Sequence, residues 1–354
     1  MVQWPDHGGQ PDYLKAYTSG KTQWLDFSAN INPLGPPKGM LELAANALYE
    51  TDRYPDPAYT NCRGQIAAAE QVDREQVCVT NGGAEAIFLA ASLSAGKTAV
   101  MAEPSFSEYR RACRHYGINV YAVDGAVDHG ICEKLVQEVE RTGADLLFLN
   151  RPHNPSGVVL PKRDVRQLLE QIPTTTIVVD EAFVDFLPEY EKLNDLLVQH
   201  DHLILLRSMT KMFAVPGLRC GFALAGEELA GRMRNNQIPW SVNTISEILL
   251  GSMMQEHAFI RQTRLWLQEE LEWIQTQLPT SMTMSDTSVN YYLLQEASLS
   301  DHEPLLAHLA ESGIAARHTY GFRGIEGRAL RLAVRQRKEN KRLMEVLQQW
   351  ADPS

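Results

Sequence analysis

Between about residues 75 and 225, short β-branched or leucine-rich runs alternate with longer amphipathic stretches. Short apolar runs alternating with helical patterns predict strand-helix units, whose largely parallel sheet is buried on both faces. The runs predict strands at 76–80, 98–102, 120–123, 146–150, 176–180, 203–207 and 220–225, with helices at 85–94, 107–115, 132–142 and 162–171. Pro161 suits the first turn of the last of these helices. Beyond Pro239 the pattern changes. Residues 241–278 lack proline and place Ile245, Ile248 and Leu249, then Trp266, Leu267 and Trp273, at helical spacing, which predicts a long helix or a helix pair. Runs at 288–294, 313–317 and 330–334 predict strands, and 338–350 a closing amphipathic helix. The expected architecture is α/β, with a large, mostly parallel unit over 38–240. A smaller α+β unit is formed by 241–354 together with an N-terminal arm, 1–37.

Composition narrows the range of ligands. The 354 residues carry 33 Lys+Arg against 44 Asp+Glu, a formal charge of −11. That field repels the polyanionic backbone of nucleic acid, so no nucleic-acid partner is expected, and any anion handled here must be small and met by a local cluster of positive groups. Five cysteines without a C-x-x-C pair give neither a disulfide framework nor a metal site. No apolar run approaches the ~18 residues of a membrane helix. The polar opening MVQWPDHGGQPDY lacks a targeting pattern, so a cytoplasmic protein without a membrane partner is expected.

Chemistry concentrates where predicted strands end. The strand at 203–207 runs into Ser208-Met209-Thr210-Lys211, two hydroxyls just before a lysine, and Arg219 follows eight residues later. The strand at 176–180 ends in Asp180-Glu181, and the one at 146–150 leads through Arg151-Pro152-His153 to Asn154-Pro155-Ser156-Gly157. Asn81-Gly82-Gly83-Ala84-Glu85 forms a strand-to-helix turn whose free amides suit a phosphate. Each element alone is weak, but all four fall at sheet edges, where open α/β sheets bind ligands.

In this order the elements resemble the fold type I superfamily of pyridoxal-phosphate enzymes, the aspartate-aminotransferase-like fold, over nearly the whole chain. The resemblance implies pyridoxal 5'-phosphate as cofactor and Lys211 as its Schiff-base lysine. It places Asp180 at the pyridine nitrogen and Asn154 at the ring oxygen. Gly83, Ala84, Ser208, Thr210 and Arg219, with Glu85 beside them, surround the phosphate, and Phe106 stacks on the ring. Histidinol-phosphate aminotransferases share the RYPD-like, N-P-x-G and lysine segments. Where they generally carry a tyrosine that also reaches the ring oxygen, this chain has Phe183.

His7-Gly8-Gly9, the 25–35 segment LDFSANINPLG, DEAFVDF at 180–186 and QIPWSVN at 237–243 resemble threonine-phosphate decarboxylases of cobalamin biosynthesis. That resemblance implies decarboxylation of L-threonine O-3-phosphate to (R)-1-amino-2-propanol O-2-phosphate. The alternative is an aminotransferase acting on histidinol phosphate or a related phosphorylated amino acid. The decarboxylase resemblance places Arg331 at the substrate carboxylate, and Arg317, Asn32 and His7, with Gly8, near its phosphate. Arg335, four residues after Arg331 on one predicted strand, is expected on the same face as a further candidate for either anion. Tyr54 is expected to reach the cofactor phosphate of a neighbouring subunit, which implies a homodimer.

Overall fold

The computed structural model describes residues 4–18, 23–125, 130–188 and 191–352. Its strands are, in chain order, β1 Leu25–Asp26, β2 Val77–Asn81, β3 Thr98–Glu103, β4 Asn119–Asp124, β5 Leu146–Asn150, β6 Thr176–Asp180 and β7 Leu203–Ser208. They continue as β8 Cys220–Ala225, β9 Met282–Met284, β10 Tyr291–Glu296, β11 Ile314–Ala315, β12 Arg317–His318 and β13 Leu330–Ala333.

Seven strands form the main sheet in the order β2-β8-β7-β6-β5-β3-β4. Its strands pair in parallel except β8, which runs antiparallel to both β7 and β2. The uninterrupted apolar runs have a structural reason. Along β5, Leu146 and Phe148 enter one core cluster while Leu147 and Leu149 enter the other, all at most 5% exposed. Both faces are covered, so neither can be polar. The helices Gly82–Ser92 and Ser107–His115 contribute to one cluster, and Ile131–Thr142 and Lys162–Gln171 to the other.

The 241–278 stretch folds as two helices, Thr244–Met253 and His257–Gln277. Asn243 starts the first by accepting the Ser246 amide on its side chain. The smaller sheet runs β12-β13-β10-β9, all antiparallel. β1 pairs in parallel with β11, and the Ala333 amide donates to the Phe27 carbonyl, so the N-terminal arm is tied to the C-terminal part of the chain. The single strand expected over 313–317 is broken into β11 and β12, which join different sheets. Among the described residues, no helix is long and apolar enough to cross a membrane.

Candidate active site

A cavity of about 600 Å³ opens at the carboxyl ends of β5, β6 and β7. These are the strands whose termini carry Asn150, Asp180 and Ser208. Lys211 follows β7 on the one-turn helix Met209–Met212 and projects its amine into the cavity. Burial, reinforced by the nearby Arg219 cation, lowers the Lys211 amine to about 8, so a sizeable neutral fraction exists near neutral pH. Its Nζ donates to Thr210 Oγ1 at 3.1 Å, and Thr210 shares a 3.0 Å hydrogen bond with Ser208. Thr210 is itself fully buried and holds Lys211 and Ser208 from behind.

Asp180 is buried, and each of its oxygens accepts one protein donor. Oδ1 takes the Ala182 amide at 3.0 Å, and Oδ2 takes the Tyr109 hydroxyl at 2.7 Å. Burial raises the Asp180 carboxyl, while Tyr109, the Ala182 amide and Lys211 pull it back. Behind it Glu181 bridges Arg151 at 3.0 Å and Arg207 at 2.9 Å, with all three side chains at most 3% exposed. This charged cluster joins residues at the ends of β5, β6 and β7, the three strands that present the site.

An anion cradle lies beside β7. Gly82 has φ +75°, and a Cβ there would collide with the guanidinium of Arg219, so glycine is required. Arg219 has φ 56°, which returns its side chain over the start of the helix Gly82–Ser92. Gly83, Ala84, Ser208 and Arg219 all line the cavity. Glu85 points elsewhere: it accepts the Asn81 amide at 2.6 Å and Gln237 Nε2 at 3.1 Å, satisfying the helix start.

Across the cavity stand Arg317 on β12 and Arg331 on β13, opposite each other in the antiparallel register. Arg317 donates to the carbonyls of Pro5 (2.5 Å) and Asp6 (2.7 Å). It also donates to His318 Nε2, and burial with the Arg317 charge pushes that imidazole down to about 3, leaving it a neutral acceptor. Arg331 donates to Asn154 Oδ1 at 2.7 Å and to the Ser28 carbonyl at 3.1 Å. Neither arginine forms an ion pair with a carboxylate among the described residues. Burial lowers Arg317 to about 10 and Arg331 to about 9. Arg331 occupies Asn154 Oδ1, and among the described residues the Nδ2 donor of Asn154 has no partner and is open to a ligand.

His7, Gly8, Phe106 and Phe183 complete the lining. His7 bonds Glu108 at 2.9 Å, and a Cβ on Gly8 would strike the Ser28 carbonyl, so the N-terminal strap lies tight against this wall. Phe183 packs its ring on Tyr291 at 4.8 Å and supplies no hydroxyl.

Three further expected residues lie outside the lining. Asn32 turns its amide to the Met212 carbonyl (2.9 Å) and Thr263 (3.0 Å), because the turn it occupies also takes its own amide to the Lys211 carbonyl. Arg335 lies beyond the end of β13 at Ala333, so strand alternation with Arg331 fails, and it pairs with Glu339 at 2.8 Å. Tyr54 is 82% exposed, its ring 4.9 Å from that of Trp240. Sequence reasoning missed Asn30, which lines the cavity, is 4% exposed and has both amide atoms unpartnered among the described residues. The signal was present two residues before Asn32 in the same Ser28-Ala29-Asn30-Ile31-Asn32 string. Glu108 and Tyr109 were also missed, because nothing in a single helix pattern separates them from core and surface positions.

A mostly parallel sheet with a half-buried lysine and a buried carboxylate at the carboxyl ends of its strands defines a known class. Residues 22–347 match the family Aminotransferase class I and II, and the chain belongs to it. Within that family it is 34% identical, over 92% of its length and 90% of the relative's, to the threonine-phosphate decarboxylase of Salmonella typhimurium. The fold is similar to the crystal structure of L-threonine-O-3-phosphate decarboxylase from Porphyromonas gingivalis, with TM-score 0.82 and 23% identity over 92% of this chain and 98% of that one. It is also similar to the histidinol-phosphate aminotransferase of Clostridium acetobutylicum, with TM-score 0.86 and 24% identity over 93% of this chain and 99% of that one. Fold alone therefore does not separate the two chemistries.

Proposed function

We propose that the protein is a pyridoxal-phosphate-dependent decarboxylase that converts L-threonine O-3-phosphate into (R)-1-amino-2-propanol O-2-phosphate in cobalamin biosynthesis. One observation carries the reading: two buried guanidinium groups, without carboxylate partners among the described residues, face a half-buried lysine amine across one cavity. A substrate bearing both a carboxylate and a phosphate neutralises such a pair. The 34% relative supports this substrate over histidinol phosphate, which has no carboxylate.

The residues fit the cofactor. Lys211 offers the amine for its aldehyde, and Asp180 a carboxylate for the ring nitrogen. Asn154 offers Nδ2 for the ring oxygen, Phe106 a stacking face, and the Gly82 turn with Ser208 and Arg219 a phosphate cradle in which any Cβ at position 82 would displace the arginine. Bound there, pyridoxal phosphate supplies an electron sink for the pair of a bond broken at the α carbon. Arg331 grips the substrate carboxylate and fixes which α-carbon bond is aligned for cleavage. Arg317, His7 and Asn30 surround the phosphate. The carbon–carboxylate bond breaks, carbon dioxide leaves, and Lys211 returns a proton to the α carbon. Phe183 leaves Asn154 as the side-chain donor to the ring oxygen.

This reading gives 38–240 the cofactor and 1–37 with 241–354 the substrate. It makes the protein a cytoplasmic homodimer in which the exposed Tyr54 serves the phosphate cradle of the second copy. The test is incubation of the holoenzyme with threonine phosphate and no keto acid. Carbon dioxide and a phosphorylated amino alcohol are expected; turnover only when 2-oxoglutarate is supplied overturns decarboxylation in favour of transamination.

A further inference from the structure

Tyr109 lies outside the cavity lining, yet it is bonded to the buried Asp180 carboxylate of the site. Tyr109 stands in the first turn of the helix Ser107–His115 and is 1% exposed. The ring lies flat on Phe148 of β5, with centroids 5.0 Å apart and planes 6° apart. It also meets Phe106 edge-on at 5.9 Å. The hydroxyl ends 2.7 Å from Asp180 Oδ2. A phenol clamped between two aromatic rings has little freedom to swing away, so this bond is held by packing as well as by its own energy.

We infer that Tyr109 is a positioning residue whose hydroxyl keeps the Asp180 carboxylate ionised and turned toward the ring nitrogen of bound pyridoxal phosphate. The inference rests on the cofactor assignment and is independent of which reaction follows. The other groups facing Asp180 are the Ala182 amide, the Lys211 amine and the Glu181 carboxylate, and Tyr109 itself also faces Tyr291. Burial and the adjacent carboxylate hold the Tyr109 hydroxyl well above its usual range, so it stays a neutral donor at working pH. Its contribution opposes the burial that favours a neutral Asp180. In a site where Phe183 offers no second hydroxyl to the cofactor, control of the ring's electrons falls more heavily on Asp180 and its supports.

The experiment is a pH titration of cofactor absorbance in wild-type and Tyr109→Phe holoenzyme, repeated in an Asp180→Asn background. Loss of one hydrogen bond that stabilises the ionised carboxylate, about tenfold in the equilibrium, is expected to raise the midpoint of the proton shared by Asp180 and the ring nitrogen by about one pH unit. The kcat is expected to fall about tenfold with KM within about twofold, since the hydroxyl touches no substrate. In the Asp180→Asn background the same substitution is expected to add no further spectral change. An unchanged midpoint in the single variant, or an equal shift when Asp180→Asn is already present, overturns the inference. If Tyr109→Phe does not fold, Phe148→Leu carries the test: it keeps the hydroxyl and frees the ring, and a midpoint that does not rise at all is the overturning result. The titration needs no substrate, so its outcome is separate from that of the decarboxylation assay.

Discussion

The two walls of the cavity are built on opposite electrostatic terms. On the main-sheet side, Glu181 bridges two arginines, and Asp180 has a donor on each oxygen. On the small-sheet side, Arg317 and Arg331 are just as buried but bond, among the described residues, only to carbonyl, amide and imidazole acceptors. A buried charge without a counterion is costly, and the lowered values of both arginines register that cost. On the proposed reading, the difference is that between a wall fitted to a resident group and one left open for a visiting anion. The first wall meets its buried carboxylates with donors of its own; the second meets its buried arginines, among the described residues, with no carboxylate.

The largest test of this contrast removes the resident's attachment. Lys211→Ala is expected to lower kcat roughly 10³-fold or more and abolish the absorbance of covalently attached cofactor. Absorbance identical to wild type would put the attachment elsewhere. On the visitor's wall, Arg331→Ala is expected to raise KM for threonine phosphate about 10- to 100-fold while the cofactor stays bound. Cofactor loss instead would break the division between the walls. The pH dependence is a smaller effect. Lys211 is lowered from its ordinary value to about 8, and the neutral amine is the nucleophile. Capture of added pyridoxal phosphate by the apoenzyme is therefore expected to accelerate about tenfold between pH 7 and 9 and then level off. A flat profile would mean that another group receives the aldehyde. The smallest effect belongs to Arg335→Ala, beyond the strand and paired with Glu339, which is expected to change kcat or KM by less than about twofold.

The main-sheet wall was almost entirely legible in the sequence, because its residues sit at the ends of long apolar runs whose period needs no tertiary information. The strands 146–150, 176–180 and 220–225 fall where the runs place them. The opposite wall was harder to read, because β11, β12 and β13 are two to four residues long and their neighbours come from distant parts of the chain. Arg335 was expected beside Arg331 through an alternation that stops once the strand ends. Asn32 and Asn30 exchanged places for a similar reason: a two-residue strand followed by a turn carries no period that says which side chain faces inward. Tyr109 was invisible for another reason, since a buried helical tyrosine discloses its partner only when the fold brings Asp180 to it.

The pairing of β1 with β11, and of Phe27 with Ala333, has a mechanical consequence. Asn30, Arg317 and Arg331 come from remote stretches of chain, yet they are mounted on one jointly bonded block. Any rocking of that block against the main sheet would move the three as a single jaw. The block is anchored to the lysine as well, since Asn32, two residues past Asn30, donates to the Lys211 carbonyl.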